Sequence, residues 1–363
     1  MNRFHGKLAV QQRVLPNYRA PFFDLLASAC DGGMSLFTGW PRQSEGITTA
    51  DKLRVAHHRQ GQNLHLFDGP FYLCYQRGLI DWLESWNPDA LIVEANPRYL
   101  STPAAVKWMQ ARSRPVIGWG LGSPPGREFL KQSRASFVRQ FDAMIAYSQR
   151  GANEYAALRF PPEKIFVAHN SVTGPPTFPL PPRPSTFSHK PYVLFVGRLQ
   201  ERKRLEDLLL ACASIERQPT PRLVIVGDGP ERERYESLAR KIYASAEFVG
   251  AKHGPELAPY FTQADLFALP GTGGLAIQEA MSYGLPIIVA EGDGTQDDLV
   301  RKENGWQIPP GFPDYLIRTL SEALSDVRRL RRMGAESYRI VKEEINIEKM
   351  VESFVRALNS VSL

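Results

Sequence analysis

The chain has 363 residues, 43% of them hydrophobic and 23% charged, with a formal net charge of +6. That length suits two domains with a core each, and the composition excludes a disordered or collagen-like chain. Three cysteines (Cys30, Cys74, Cys212) without a CxxC spacing speak for a reducing compartment and against a disulfide framework, and the most apolar window, near Leu285–Ala290, is far too short to span a bilayer.

The N-terminal stretch Met1–Leu15 lacks a long apolar run, which predicts no secretory leader. Leu8–Leu15 reads as a first strand, followed by a loop at Pro16–Pro21 and an amphipathic helix over Phe22–Cys30. His57, His58 and His65 sit in a polar stretch with no carboxylate at ligand spacing, so a solvated loop is expected there and no metal site. Leu91–Glu94, Val116–Trp119, Ala143–Tyr147 and Ile165–Ala168 read as further strands, and alternation with helices predicts a parallel doubly wound sheet. Ligands of such sheets bind at the carboxyl ends of strands. Tyr18, Arg19, Asn96, Arg98 and Trp119 lie in those loops and offer rings and polar groups suited to a sugar or phosphate acceptor.

Residues 1–170 carry 20 Lys and Arg against 13 Asp and Glu, whereas the remainder carries 24 against 25. A basic first half suggests an anionic partner, such as a membrane surface or a lipid-phosphate acceptor. No zinc spacing, aromatic RNA-binding motif or dense basic run supports nucleic acid. Within 128–141, Leu130, Phe137 and Phe141 share one helical stripe while Lys131 and Arg134 lie off it. That pattern suits an interfacial helix and equally a helix facing the core.

Seven prolines in the nineteen residues Thr173–Pro191 rule out a central helix or strand and predict an interdomain linker. A first domain over 1–172 and a second over 192–344 follow. Val193–Val196 is a short apolar strand ending in Gly197, with Arg198 and Lys203 beyond it and a helix over Leu205–Ala213. Leu266–Leu269 is another buried strand, followed by the loop 270–274 and a helix from Leu275 to about Tyr283. Gly273 and Gly274 at that helix start let an anion approach backbone N–H groups, where the helix dipole favours it. Glu279 lies one turn further on, within reach of a ribose whose phosphates sit at the helix end. Asn304-Gly305 marks a tight turn, and about Met333–Leu358 reads as an amphipathic helical segment.

Three segments in this order, VGRLQERKRLEDLLLA, LVIVGDGPERERYESLA and VGAKHGPELAPYFTQADLFALPG, resemble those of the retaining GT-B glycosyltransferases of family four, also termed group 1. The match covers roughly residues 165–310. The resemblance implies an α/β GT-B fold, with two Rossmann-like doubly wound domains facing a central cleft and a C-terminal helix end (345–363) packing back on the first. It implies a metal-independent, hexosyltransferase-type retaining transfer, without cofactor, from a UDP- or GDP-linked sugar to a glycan or lipid-linked glycan. The expected setting is the cytoplasm, peripheral at the inner membrane face. Arg198 and Lys203 would hold the donor diphosphate. Gly197, Thr272, Gly273, Gly274 and Leu275 would meet phosphate and sugar, Gly250, Lys252 and His253 would frame the base, and Glu279 would bind ribose. The chain departs from the pattern at Gly271, where a sugar-contacting glutamate is usual, and Leu121 stands where a first-domain histidine is common. A sugar-nucleotide epimerase and a non-catalytic partner subunit therefore stay open as alternatives.

Overall fold

A computed structural model describes residues 2–123, 128–187, 190–215, 220–292 and 294–362. The chain divides into two compact units, Met1–Val172 with Ile347–Leu363, and Thr173–Asn346.

The first unit is built on nine strands: β1 (Leu8–Gln11), β2 (Met34–Thr38), β3 (His57–Gln60), β4 (Gln62–Leu66), β5 (Leu73–Arg77), β6 (Ala90–Glu94), β7 (Val116–Gly120), β8 (Ala143–Ala146) and β9 (Ile165–Val167). Seven of them form one sheet in the order β3-β2-β1-β6-β7-β8-β9, parallel throughout. The strands are apolar at consecutive positions because both faces are covered. Leu8 and Val10 enter one core cluster with Phe22, Trp119 and Phe354, whereas Ala9 enters the other with Phe37, Trp82 and Leu83. The helix Ile347–Val361 closes the first of these clusters, and its Phe354 ring lies 4.8 Å from Trp119 and 4.9 Å from Phe22. Strand order reverses between β1 and β6, so the loops after these two strands flank the switch point.

Two features of this unit differ from expectation. His57, His58 and His65 lie on strands and not in a solvated loop: β4 and β5 form an antiparallel hairpin beside the main sheet, and His58 Nε2 is 2.8 Å from Thr38 Oγ1. The helix Glu128–Val138 turns its described apolar residues inward, with Val138 and Phe141 buried and Phe137 packed beside them, which is the core-facing alternative. The side chains of Leu130 and Lys131, and residues 124–127 of the loop after β7, lie outside the described residues.

The second unit carries β10 (Tyr192–Val196), β11 (Arg222–Val226), β12 (Glu247–Phe248), β13 (Leu266–Leu269), β14 (Ile287–Ala290) and β15 (Gly305–Ile308). Their order is β12-β11-β10-β13-β14-β15, parallel throughout, with the reversal between β10 and β13. The proline-rich stretch is less a linker than a strap on this unit. Arg183 Nη2 donates to the carbonyls of Phe261 (2.8 Å) and Tyr283 (3.0 Å), and Tyr338 Oη donates to Phe178 O at 2.5 Å. The helical C-terminal segment is two helices, Val327–Glu343 and Ile347–Val361. Asn346 sits between them and donates from Nδ2 to Val341 O at 2.9 Å, satisfying a carbonyl that the first helix leaves open. The chain changes unit at that break.

Candidate functional site

The loops after β10 and β13 meet at the second unit's switch point and are stitched together there. A short 3-10 turn, Glu201–Lys203, follows β10. Its Lys203 is buried, and the ammonium donates to Thr272 O (2.8 Å) and Gly273 O (2.6 Å). In return Thr272 N donates to Arg202 O at 3.0 Å. Lys203 therefore has carbonyl partners and no carboxylate among the described residues. Burial, and next the Arg202 charge, bring its pKa down to about 8. A buried cation with only neutral partners is electrostatically incomplete, and an anion placed beside it would raise that pKa again.

Arg198, one residue beyond the strand-end Gly197, is exposed and has no ion-pair partner among the described residues. Thr272 is exposed, Gly273 has φ +64°, and Gly274 begins the helix Leu275–Ser282 with no side chain capping it. In that first turn Ile277 N donates to Gly274 O at 3.2 Å, and the N–H groups before it are left for solvent or a ligand. Glu279, expected as an ordinary helix carboxylate or a ribose ligand, is largely enclosed. Burial alone raises its pKa, and no cation or hydrogen bond offsets that among the described residues. Gly250 (φ +76°), Lys252 and His253 follow β12, two strands from β10. Lys252 Nζ is 3.9 Å from Glu256 Oε1, and the His253 amide donates to Glu256 Oε2 at 3.3 Å.

Gly271 has a steric cause. A Cβ built on it would lie 2.2 Å from Arg202 O and 2.5 Å from Lys203 Cα. The 3-10 turn occupies the space that any side chain at 271 would need, so no glutamate fits without moving the Lys203 backbone.

The first unit's switch point is different in kind. Tyr18 and Arg98 are exposed, but Arg19 is buried and donates to Asn170 Oδ1 at 2.5 Å. Its guanidinium lies 5.6 Å from the Trp119 ring and 5.5 Å from that of Tyr147. Trp119 itself is 1% exposed, so the expectation that it stacks on a ligand is corrected: it is a core residue, held by Phe22, Phe23 and Phe354. Asn96 spends its side-chain oxygen on the Arg98 amide (3.0 Å), as turn residues do. The residue that sequence reasoning missed is Glu94. It ends β6 beside the switch point and accepts from the Arg13 amide at 2.7 Å, while burial pushes its pKa up to about 7 against the opposing effect of Arg13 and Tyr99. An acidic residue closing an apolar central strand was its only sequence signal.

Residues 181–340 match the family profile described as glycosyl transferases group 1. This domain is a group 1 glycosyltransferase domain. A GDP-mannose-dependent alpha-mannosyltransferase of Mycobacterium tuberculosis is 38% identical over 165 residues, 43% of this chain and 42% of that protein. The lipopolysaccharide core biosynthesis glycosyltransferase LpsE of Rhizobium meliloti is 22% identical over 77% of this chain and 87% of its own length. Among solved structures, HepE of Anabaena in complex with UDP superposes with a TM-score of 0.69 at 15% identity, over 99% of this chain and 100% of that one. The fold is GT-B. The chain spans under half the length of several curated relatives it matches. Among the described residues no group of three or more His, Cys, Asp or Glu could hold a metal ion.

Proposed function

We propose that this protein moves a hexose from a nucleotide-diphosphate sugar to a hydroxyl of a glycan or lipid-linked glycan, with retention and without metal or cofactor. The observation that carries the reading is the cationic, amide-lined switch point: Lys203 buried without a carboxylate, Arg198 unpaired, and the uncapped start of the helix Leu275–Ser282. Those groups suit a diphosphate, and they would neutralise the charge that grows on it as the glycosidic bond breaks, the kind of preorganised electrostatics that dominates catalysis. Glu279, unpaired and one turn along, suits the ribose hydroxyls, which would donate to its carboxylate. With a dianionic leaving group beside the acceptor, the diphosphate itself can take the acceptor's proton, so no pair of carboxylates is required.

The structural neighbour HepE, solved with UDP and with UDP-glucose, supports a UDP-linked donor, and the GDP-mannose-dependent mannosyltransferase named above supports a GDP-linked one. A thermal-shift panel of UDP, GDP, ADP and dTDP tests the reading. One of them should raise the melting temperature, and Arg198→Ala should reduce that rise. No shift with any nucleotide would overturn it.

Gly271 favours a second reading, a partner subunit that binds donor without turning it over, because no sugar-contacting carboxylate fits at that position. Donor hydrolysis by the pure protein separates the two: release of free nucleotide supports the transferase, and nucleotide binding without release supports the subunit.

A further inference from the structure

The first unit's β4–β5 hairpin turns an apolar face outward. Its register pairs Leu64 with Tyr75, Leu66 with Leu73 and Gln62 with Arg77. Because side chains alternate across a strand, these six lie on one face. Asn63, His65, Cys74 and Gln76 lie on the other, where Cys74 and Gln76 are buried and Asn63 and His65 donate to or approach Trp40 O at 3.0 and 3.1 Å. An ordinary two-faced hairpin would put polar residues outside. Here Leu64, Leu66 and Tyr75 are outside, and the tip adds Phe67 and Phe71, 69% and 77% exposed, the two most exposed large apolar side chains among the described residues. Trp40 and Leu100, both exposed, border the same hairpin through backbone contacts with β4 and β5. Apolar patches of this extent mark a contact surface.

The charges around the patch identify what it would meet. Residues 57–77 contain one carboxylate, Asp68, and Arg42 neutralises it by an ion pair while its Nη2 donates to Phe67 O at 2.8 Å. The tip's polar groups are thus tied back toward Arg42, and the rings are left free. Arg59, Arg77 and Arg98 are exposed and have no ion-pair partner among the described residues. Beside the tip lies a hollow of about 660 Å³, walled by Phe67, Pro70, Phe71, Tyr72 and Leu73, with Arg98 and the Arg42-paired Asp68 at its side. An apolar hollow with one guanidinium at its wall matches an acyl chain joined to a phosphate. Projecting aromatic rings at the tip beside Arg98, on a face that carries Arg77 at its far end, match the headgroup zone of a bilayer, where rings sit at the interface and arginines meet lipid phosphates.

We propose that the β4–β5 hairpin seats the first unit on an anionic lipid bilayer, with Phe67 and Phe71 entering the interface and Arg59, Arg77 and Arg98 facing lipid phosphates. This deepens the reading of a lipid-linked acceptor given above, but it rests on a different surface and can fail separately. The basic surplus of the first half acquires a location, and the hairpin takes the place of the interfacial alternative for the helix at 128–141.

The test is vesicle co-sedimentation of the full chain with phosphatidylcholine vesicles, with and without 30% phosphatidylglycerol, at low and high salt. The wild type should bind the anionic vesicles and release as salt rises. Phe67→Ser with Phe71→Ser should weaken binding by at least about tenfold. Arg59→Glu with Arg77→Glu should weaken it by about 20-fold on anionic vesicles and hardly at all on neutral ones. All four positions are exposed, so each variant should keep the wild-type melting temperature and the nucleotide-induced shift. Absence of binding at low salt, or binding that both variants retain, would overturn the proposal. So would a concentration-dependent dimer in sedimentation velocity that Phe67→Ser with Phe71→Ser abolishes, because the patch would then belong to a second copy. Nucleotide shifts measured on the same samples keep a failure here distinct from a failure of the donor reading.

Discussion

The two switch points of this molecule use similar residues to opposite ends. After β10 and β13 the charged groups are left wanting partners among the described residues: Arg198 is unpaired, Lys203 has only carbonyls, and Glu279 is enclosed without a cation. After β1 and β6 several charged groups are already satisfied: Arg19 by Asn170 and the rings around it, Arg13 by Glu45, and Glu94 by the Arg13 amide. Unsatisfied groups at a strand end are costly unless a ligand completes them, whereas satisfied ones hold a scaffold. Residue type alone therefore does not separate a binding loop from a structural one; the partners do.

The comparison breaks most visibly at Trp119. Trp119→Ala should cost about 3–5 kcal/mol of stability, read as a large drop in melting temperature, while nucleotide affinity of the folded fraction stays unchanged. A stable variant with impaired acceptor use would return Trp119 to the binding surface. On the other side, Arg198→Ala and Lys203→Ala should each remove about 2–4 kcal/mol from kcat/KM with the fold intact, and wild-type kinetics in both would remove the diphosphate assignment.

Gly271→Glu sharpens the same comparison. Supplying the carboxylate that the family resemblance leads one to expect there should lower turnover and nucleotide affinity, because the new Cβ displaces Arg202 and Lys203 at a cost of about 1–3 kcal/mol. A gain in activity would show that the 3-10 turn yields and that steric exclusion is not the reason for the glycine. The smallest effect belongs to Glu279→Gln, which should raise the donor KM by about tenfold or less, since a charge-assisted bond to ribose becomes a neutral one. Unfolding of that variant, with unchanged nucleotide affinity in what remains folded, would make Glu279 structural.

The second sheet was legible because its information is local. Val193–Val196 and Leu266–Leu269 are apolar runs closed by glycine and proline, and Arg198, Lys203, Gly273 and Gly274 follow them within a few positions. In the first unit the decisive facts are long-range. Trp119 looks like a loop residue until the helix Ile347–Val361 arrives from more than 200 residues away to cover it, and Glu94 becomes unusual only through Arg13 and Tyr99. The hairpin β4–β5 escaped notice because its apolar residues alternate with His and Asn in a stretch that reads as polar. The steric reason for Gly271 lies in a turn some 70 positions earlier in the chain, which no spacing rule reaches.

The central claim is that Lys203 lacks an anion until the donor diphosphate supplies one. With burial and the Arg202 charge bringing its pKa down to about 8, the ammonium loses its charge as pH rises through that region. A bound diphosphate stabilises the charged form, so binding must take up a proton, and affinity must fall by as much as about tenfold per pH unit above 8. Calorimetric titration with the nucleotide diphosphate that stabilises the protein, at pH 8 in two buffers of different ionisation enthalpy, measures that proton directly. The account predicts proton uptake on binding by the wild type and none by Lys203→Met. Binding of equal strength from pH 7 to 9 without proton uptake would contradict it.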